Sequence, residues 1–276
     1  MNDKITAKAF GIDLGTTNSV AAIFRNGRVE MVVDRNGSCI TPSYVFFPRS
    51  GNPPYVCGFV AKDRISTYPR EVAHSCKRLI GVRYDDPIVK VMQKSVAFSI
   101  VDDSKNKSNV NDGKNKPNVN DGKNKPNVND GKNKPMVAFQ QKGEEKRRYP
   151  EQVSSYILEH LKKLTQTFAG FDIKDVVITV PARYTQIQRQ IVQDAASIAG
   201  LNALDIIPEP VAAAYTYADV MNIGNATVKE EKNVLIYDLG GGTFDVTIMK
   251  INGMEFTELA LGGDPLLGGS DFDRMI

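Results

Sequence analysis

One pattern occurs twice, and it constrains this chain more than any other feature. Residues 234–250 read Val-Leu-Ile-Tyr-Asp-Leu-Gly-Gly-Gly-Thr-Phe-Asp-Val-Thr-Ile-Met-Lys, and residues 10–24 read Phe-Gly-Ile-Asp-Leu-Gly-Thr-Thr-Asn-Ser-Val-Ala-Ala-Ile-Phe. Each is an apolar strand, Asp-Leu-Gly, a small polar tip and a second apolar strand. Each therefore predicts a β-hairpin with a carboxylate beside its tip. Gly240, Gly241 and Gly242 allow positive φ and let a bulky anion approach main-chain N–H groups. Asp238, at a strand end, suits a hydrated Mg²⁺, which keeps most of its waters and uses few carboxylates. A single copy would read equally well as an ordinary Asp-Gly turn. Two copies, with Asp13 and Asp238 225 residues apart, imply two similar half-domains facing one phosphate chain.

The 276 residues suffice for two domains, and the hydrophobic fraction of 41% is that of a globular protein. The net charge of +3 is accounted for by three Asn-Val-Asn-Asp-Gly-Lys-Asn-Lys-Pro units, each carrying two lysines and one aspartate. The remainder is balanced, which gives no footprint for nucleic acid. Cys39, Cys57 and Cys76 lack metal-ligand spacing. No apolar leader follows Met1–Lys8, and no run reaches membrane-spanning length. The expectation is a soluble, cytoplasmic chain with no membrane partner.

Residues 5–50 read as a meander of short strands turning at Asn26-Gly27 and Asn36-Gly37-Ser38. Val72–Ile80 reads as a short helix or turn, where Lys77 taken alone is an ordinary solvated charge. Residues 95–101 and 136–141 are two strands. The nonapeptides between them cannot bury enough apolar area to fold, so 102–135 is expected to be a disordered loop at a hairpin tip. Pro150 opens a helix whose apolar face is Val153, Tyr156, Ile157, Leu161, Leu164 and Phe168, with Gly170 as its stop. Asp175–Val180 is a buried strand. Thr185 and Gln188 form a capping box for a helix burying Ile187, Ile191, Ala195 and Ile198. A strand over 204–208 and a helix from Pro210 complete an alternating α/β series. The expected organisation is a first lobe over 1–221, a polar linker over 222–232 and the start of a second lobe over 233–276. That second lobe offers one meander and no helix of its own to cover it.

Six motifs now occur in order: Ile12-Asp-Leu-Gly-Thr-Thr-Asn-Ser, Lys77-Arg-Leu-Ile-Gly, Val180-Pro-Ala, Ile207-Pro-Glu-Pro-Val-Ala-Ala-Ala-Tyr, Asp238-Leu-Gly-Gly-Gly-Thr-Phe-Asp and Leu267-Gly-Gly-Ser-Asp-Phe-Asp. Outside the repeat insert, the chain resembles the N-terminal ATPase domain of the 70-kilodalton heat-shock protein chaperone family. The resemblance implies an α/β, actin-like, ribonuclease H-like fold, with the first lobe complete and only the first strands of the second. It also implies ATP or ADP with Mg²⁺ in the cleft. By position, Thr16, Thr17 and Asn18 hold phosphates from one lobe, and Gly240, Gly241 and Gly242 from the other. Lys77 matches the catalytic lysine. Asp13, Glu209 and Asp238 match carboxylates around the hydrated metal and the attacking water, and Thr243 and Asp245 line the same site. Pro181 and Arg189 match residues that relay nucleotide state. J-domain co-chaperones and nucleotide-exchange factors are the implied partners.

Departures from the family pattern include Asn18 for an aromatic, Ser38-Cys39-Ile40 for a basic tract, Arg183 and Thr185–Ile187 within the relay segment, and Pro265-Leu266 and Ser270 near the last motif. The family's adenine-binding subdomain, later motifs and peptide-binding domain have no counterpart in these residues. Three readings follow: an ATP-binding, ATP-hydrolysing domain of a chaperone assisting protein folding, a truncated fragment acting only as a binding or scaffold module without independent turnover, or an inactive fragment.

Overall fold

A computed structural model describes residues 9–105, 133–221, 231–273 and 275. The nonapeptides up to residue 132, and the expectation that they are disordered, lie outside the described residues, as does most of the 222–232 linker. Strands β1 (Phe10–Asp13), β2 (Asn18–Arg25) and β3 (Arg28–Met31) form an antiparallel meander. Its second turn places Asn26 and Gly27 at φ 54° and 76°, the left-handed pair that a two-residue hairpin favours. Strand β4 (Thr41–Pro42) pairs with the start of β2, and β5 (Tyr44–Phe46) lies between β6 (Val56–Cys57) and β7 (Val72–His74). Helix α1 (Phe59–Lys62) packs on β5, and a 3₁₀ turn over Cys76–Leu79 leads towards α2 (Pro87–Ser95).

Strands β8 (Ser99–Asp102), β9 (Pro135–Gln141) and β10 (Glu144–Arg148) make a separate antiparallel sheet. Asp102 and Pro135, read from the sequence as loop, are the last paired residues of β8 and β9. Just beyond them the Asp103 carboxylate accepts from the N–H groups of Asn133 and Lys134, both at 2.8 Å. The two edges of the insert are thus tied together.

Helix α3 (Pro150–Ala169) ends at Gly170, which is left-handed at φ 79°. A parallel series follows: β11 (Asp175–Val180), α4 (Gln186–Ile198), β12 (Asn202–Pro208) and α5 (Glu209–Val220). The first sheet runs β12-β11-β1-β2-β3, so β1 lies between its hairpin partner and a parallel neighbour. The Thr185–Gln188 capping box is present. The expected burial of α4 holds for Ala195 and, in part, for Ile191, which packs against the core, but not for Ile187 and Ile198. Val192, Ala195, Ala196 and Ala199 are buried, whereas Ile187 and Ile198 are exposed. The small residues face α3, which puts both isoleucines about 100° or more round the helix.

Strands β13 (Glu231–Leu239), β14 (Phe244–Asn252) and β15 (Glu255–Asp264) form the second meander, followed by the short helix α6 (Gly269–Asp273). β13 begins inside the stretch read as linker. One face of this sheet is covered, by a helix of the first half and not of its own. Ala214 and Ala218 of α5 bury against Met249 and Ile251, with Val234, Ile236 and Phe256 around them. On the other face Leu235 and Tyr237 are each 64% exposed. α5 touches strands of both sheets.

Leu158, fully buried on α3, tests the main core. Leu158→Ala is expected to lower unfolding free energy by about 2–5 kcal/mol in denaturant titration. His74 gives a pH test. It stacks on Tyr44 and meets Phe98 edge-on, and burial pushes its pKa from 6.5 down to about 4. The unfolded chain binds the proton more readily, so stability is intact above about 6.5 and falls as pH drops towards 4, by about 3 kcal/mol at most. His74→Gln is expected to flatten that part of the pH–stability curve.

Candidate functional site

The first tip is held by small hydroxyls. Ser43 Oγ donates to Gly15 O (2.8 Å), Ser43 N–H donates to Thr17 O (2.8 Å), and Gly15 N–H donates to Ser19 Oγ (3.2 Å). A Cβ at Gly15 would lie 1.9 Å from Asn18 O, so only glycine fits there. Asp13 leaves β1 opposite Thr179 of β11, whose hydroxyl donates to its carboxylate at 2.6 Å. Asn18 opens β2 and is exposed.

The second tip meets the first directly. A Cβ at Gly241 would fall 1.9 Å from Thr17 Oγ1, and one at Gly242 would fall 2.6 Å from Thr16 Cγ2. These glycines are therefore required by the close approach of the two hairpins. The positive φ expected of them is not seen: the left-handed glycines lie elsewhere. Gly268 closes over the same tip, with Gly269 N–H donating to Gly240 O and Ser270 N–H to Gly241 O, both at 3.0 Å. Arg78 is buried beneath it, donating from Nε to Gly242 O (2.9 Å) and from Nη2 to Asp271 Oδ2 (2.9 Å).

Beside the joined tips is a cavity of about 350 Å³. Thr16, Lys77, Pro181, Thr243 and Asp245 are among its lining residues. Lys77 is buried and its Nζ donates to Glu209 Oε1 at 2.6 Å. Tyr184 Oη donates to the Lys77 carbonyl (3.0 Å), fixing the turn that carries the lysine. Glu209 is the first residue of α5. Burial raises its pKa against the pull of Lys77, and Asp13 and Asp238 raise it further. Asp238 is raised by burial and then by Asp13, and Asp245 by burial and then by Asp238. Four carboxylates thus share one field with Lys77. Arg189 lies behind the cavity, donating to Tyr184 O (3.2 Å), Ile206 O (3.3 Å) and Ala182 O (3.5 Å), which clamps the segment after Pro181.

Comparison with known proteins agrees with this geometry. The sequence model of the Hsp70 protein family matches residues 9–123 and 121–276. The chain is 37% identical over 273 residues to a heat shock protein of Pyricularia oryzae (strain 70-15), covering 99% of this chain and 39% of that protein. The chain belongs to the Hsp70 family. Its fold is accordingly the actin-like α/β arrangement of the Hsp70 ATPase domain, and members of the family bind ATP or ADP with magnesium. Among the described residues no helix is long and apolar enough to cross a membrane.

The residues present fit such a group. Thr17 Oγ1 is buried with no hydrogen-bond partner, a hydroxyl left over at the junction of the tips. Crowded carboxylates with raised pKa values are what a bound divalent cation would relieve. Sequence reading missed Thr179, Ser19, Ser43, Tyr184 and the inter-lobe role of Arg78. Apart from the local Gly15–Ser19 bond, they act through partners distant in sequence, and only the register and loop packing reveal them.

Gly241→Ala is expected to cost about 1–3 kcal/mol by forcing the tips apart, and adding Thr17→Gly should recover part of it in thermal melts. Asp238→Asn is expected to raise the ligand-free melting temperature at pH 7. The raised carboxylate stabilises the fold only when protonated, and that contribution is lost as pH climbs through its folded pKa.

Proposed function

We propose that this chain is an ATP-binding and ATP-hydrolysing unit of an Hsp70-type molecular chaperone that assists protein folding. The observation that carries the reading is Lys77, buried against Glu209 at 2.6 Å, on a cavity also lined by Thr16, Thr243 and Asp245. Phosphoryl transfer asks the protein mainly for positioning and charge neutralisation, and this set supplies both. Thr16, Thr17 and the Gly240–Gly242 backbone are read as the phosphate cradle, with Asn18 at its margin. Lys77 is read as the cation for the terminal phosphate, and Glu209 holds it in place.

Asp13, Glu209 and Asp238 would hold Mg²⁺ through its waters. Among the described residues no three His, Cys, Asp or Glu side chains converge as direct ligands, which suits a hydrated ion. When bound, Mg²⁺ supplies charge neutralisation on the phosphate oxygens. Pro181 and Arg189 are read as the relay, because the Arg189 clamp spans the segment that borders the cavity. J-domain co-chaperones and nucleotide-exchange factors, with which the family works, are the proposed partners, in a cytoplasmic setting without nucleic acid or membrane.

A second reading, a binding or scaffold module without turnover, has its own support. Leu235, Tyr237, Ile248 and Leu259 are exposed on the second sheet, apolar surface that a partner could cover.

Titration calorimetry of the purified chain with MgATP separates the two. Binding that is lost in Asp13→Asn and Asp238→Asn supports the nucleotide reading. A folded chain giving no heat overturns it in favour of the scaffold.

A further inference from the structure

The cavity beside the tips is lined by an exposed cation besides Lys77 and Arg78. Arg183 lies in the turn between β11 and α4 and lines the cavity together with Lys77, Thr16, Thr243 and Asp245. It is exposed, whereas Lys77 is buried. Asp245, on β14 of the other half, feels its charge. Arg78 and Lys77 line the cavity as well, but Arg78 is committed to Gly242 and Asp271 and Lys77 to Glu209. Tyr184, the next residue, holds the Lys77 carbonyl and is itself clamped by Arg189. The backbone presenting Arg183 is thereby fixed relative to Lys77.

We propose that Arg183 is a specificity-determining residue that reads the terminal phosphate of the bound nucleotide and favours triphosphate over diphosphate. The inference rests on the nucleotide reading above. A guanidinium matches phosphate oxygens as a planar fork, and charge-assisted pairs of this kind are stronger than neutral hydrogen bonds. In the ligand-free chain Asp245 attracts the guanidinium. A terminal phosphate carries more charge than one carboxylate and draws the arginine across the cavity. A diphosphate, lacking that group, leaves Arg183 with Asp245. Lys77 supplies a second, buried point charge, so the two cations would share the terminal group.

The experiment is calorimetric titration of the full chain and of its Arg183→Ala and Arg183→Lys variants with MgATP and with MgADP. Arg183→Ala is expected to weaken MgATP about tenfold and to leave MgADP nearly unchanged, with Arg183→Lys in between. Equal weakening of both nucleotides would make Arg183 only a tie between the halves through Asp245, and no change in either would make it a surface charge; each overturns the proposal. If the parent chain binds neither nucleotide, the nucleotide reading itself fails and this inference falls with it. The exposed position of Arg183 means the variants should fold, which circular dichroism and melting curves would check.

Discussion

Lys77 and Glu209 are 2.6 Å apart and both largely withdrawn from water. Either charge alone at that depth would cost several kcal/mol, so each requires the other. The lysine comes from the 3₁₀ turn after β7, and the glutamate from the first residue of α5. That helix buries Ala214 and Ala218 in the second sheet and begins where β12 of the first sheet ends. One ion pair therefore sets where the helix between the sheets begins, and the helix sets how the second hairpin meets the first. Moving the pair would shift both the cation and the tip opposite it.

The contact between the tips sets a second limit, through volume. Thr17 against Gly241 and Thr16 against Gly242 leave no space for a side chain on the second tip. Flexibility is the usual reason offered for a glycine run, but here the backbone does not use the left-handed region. The glycines thin the chain so that two hairpins from different halves can touch. Arg78 then reaches across to Gly242 and Asp271, closing the junction with a charge that would otherwise be buried unpaired.

Much of this could be read from the sequence, and the failures have identifiable causes. α3 was readable because Pro150, the apolar spacing and Gly170 are local signals. The α4 cap was readable for the same reason, but the buried face only in part. Alanines that pack closely on α3 took the interior, and the larger Ile187 and Ile198 were left outside. α5 reads as the end of the first half because sequence order says so, whereas its Ala214–Ala218 face packs on strands that follow it. Asp13 and Asp238 were visible as a repeated pattern. Lys77 was not, because a lone lysine carries no spacing signal, and only the resemblance singled it out. Thr179, Tyr184 and Arg78 had no signal at all short of the parallel register and the loop packing.

Taken together, the charges limit what the site can hold. Asp13, Glu209, Asp238 and Asp245 repel one another, and burial adds to the difficulty of keeping Glu209, Asp238 and Asp245 ionised. Lys77 offsets one of them. A polyphosphate alone would bring further negative charge into this field. A divalent cation alone would relieve the carboxylates but compete with Lys77 for Glu209 and with Arg183 for Asp245. A metal–polyphosphate complex answers both needs at once, with the metal towards the carboxylates and the phosphates towards Lys77, Arg183 and the small-residue tips. The arrangement of charge therefore favours the chelate over either component, and it does so before any contact with a base or sugar is considered.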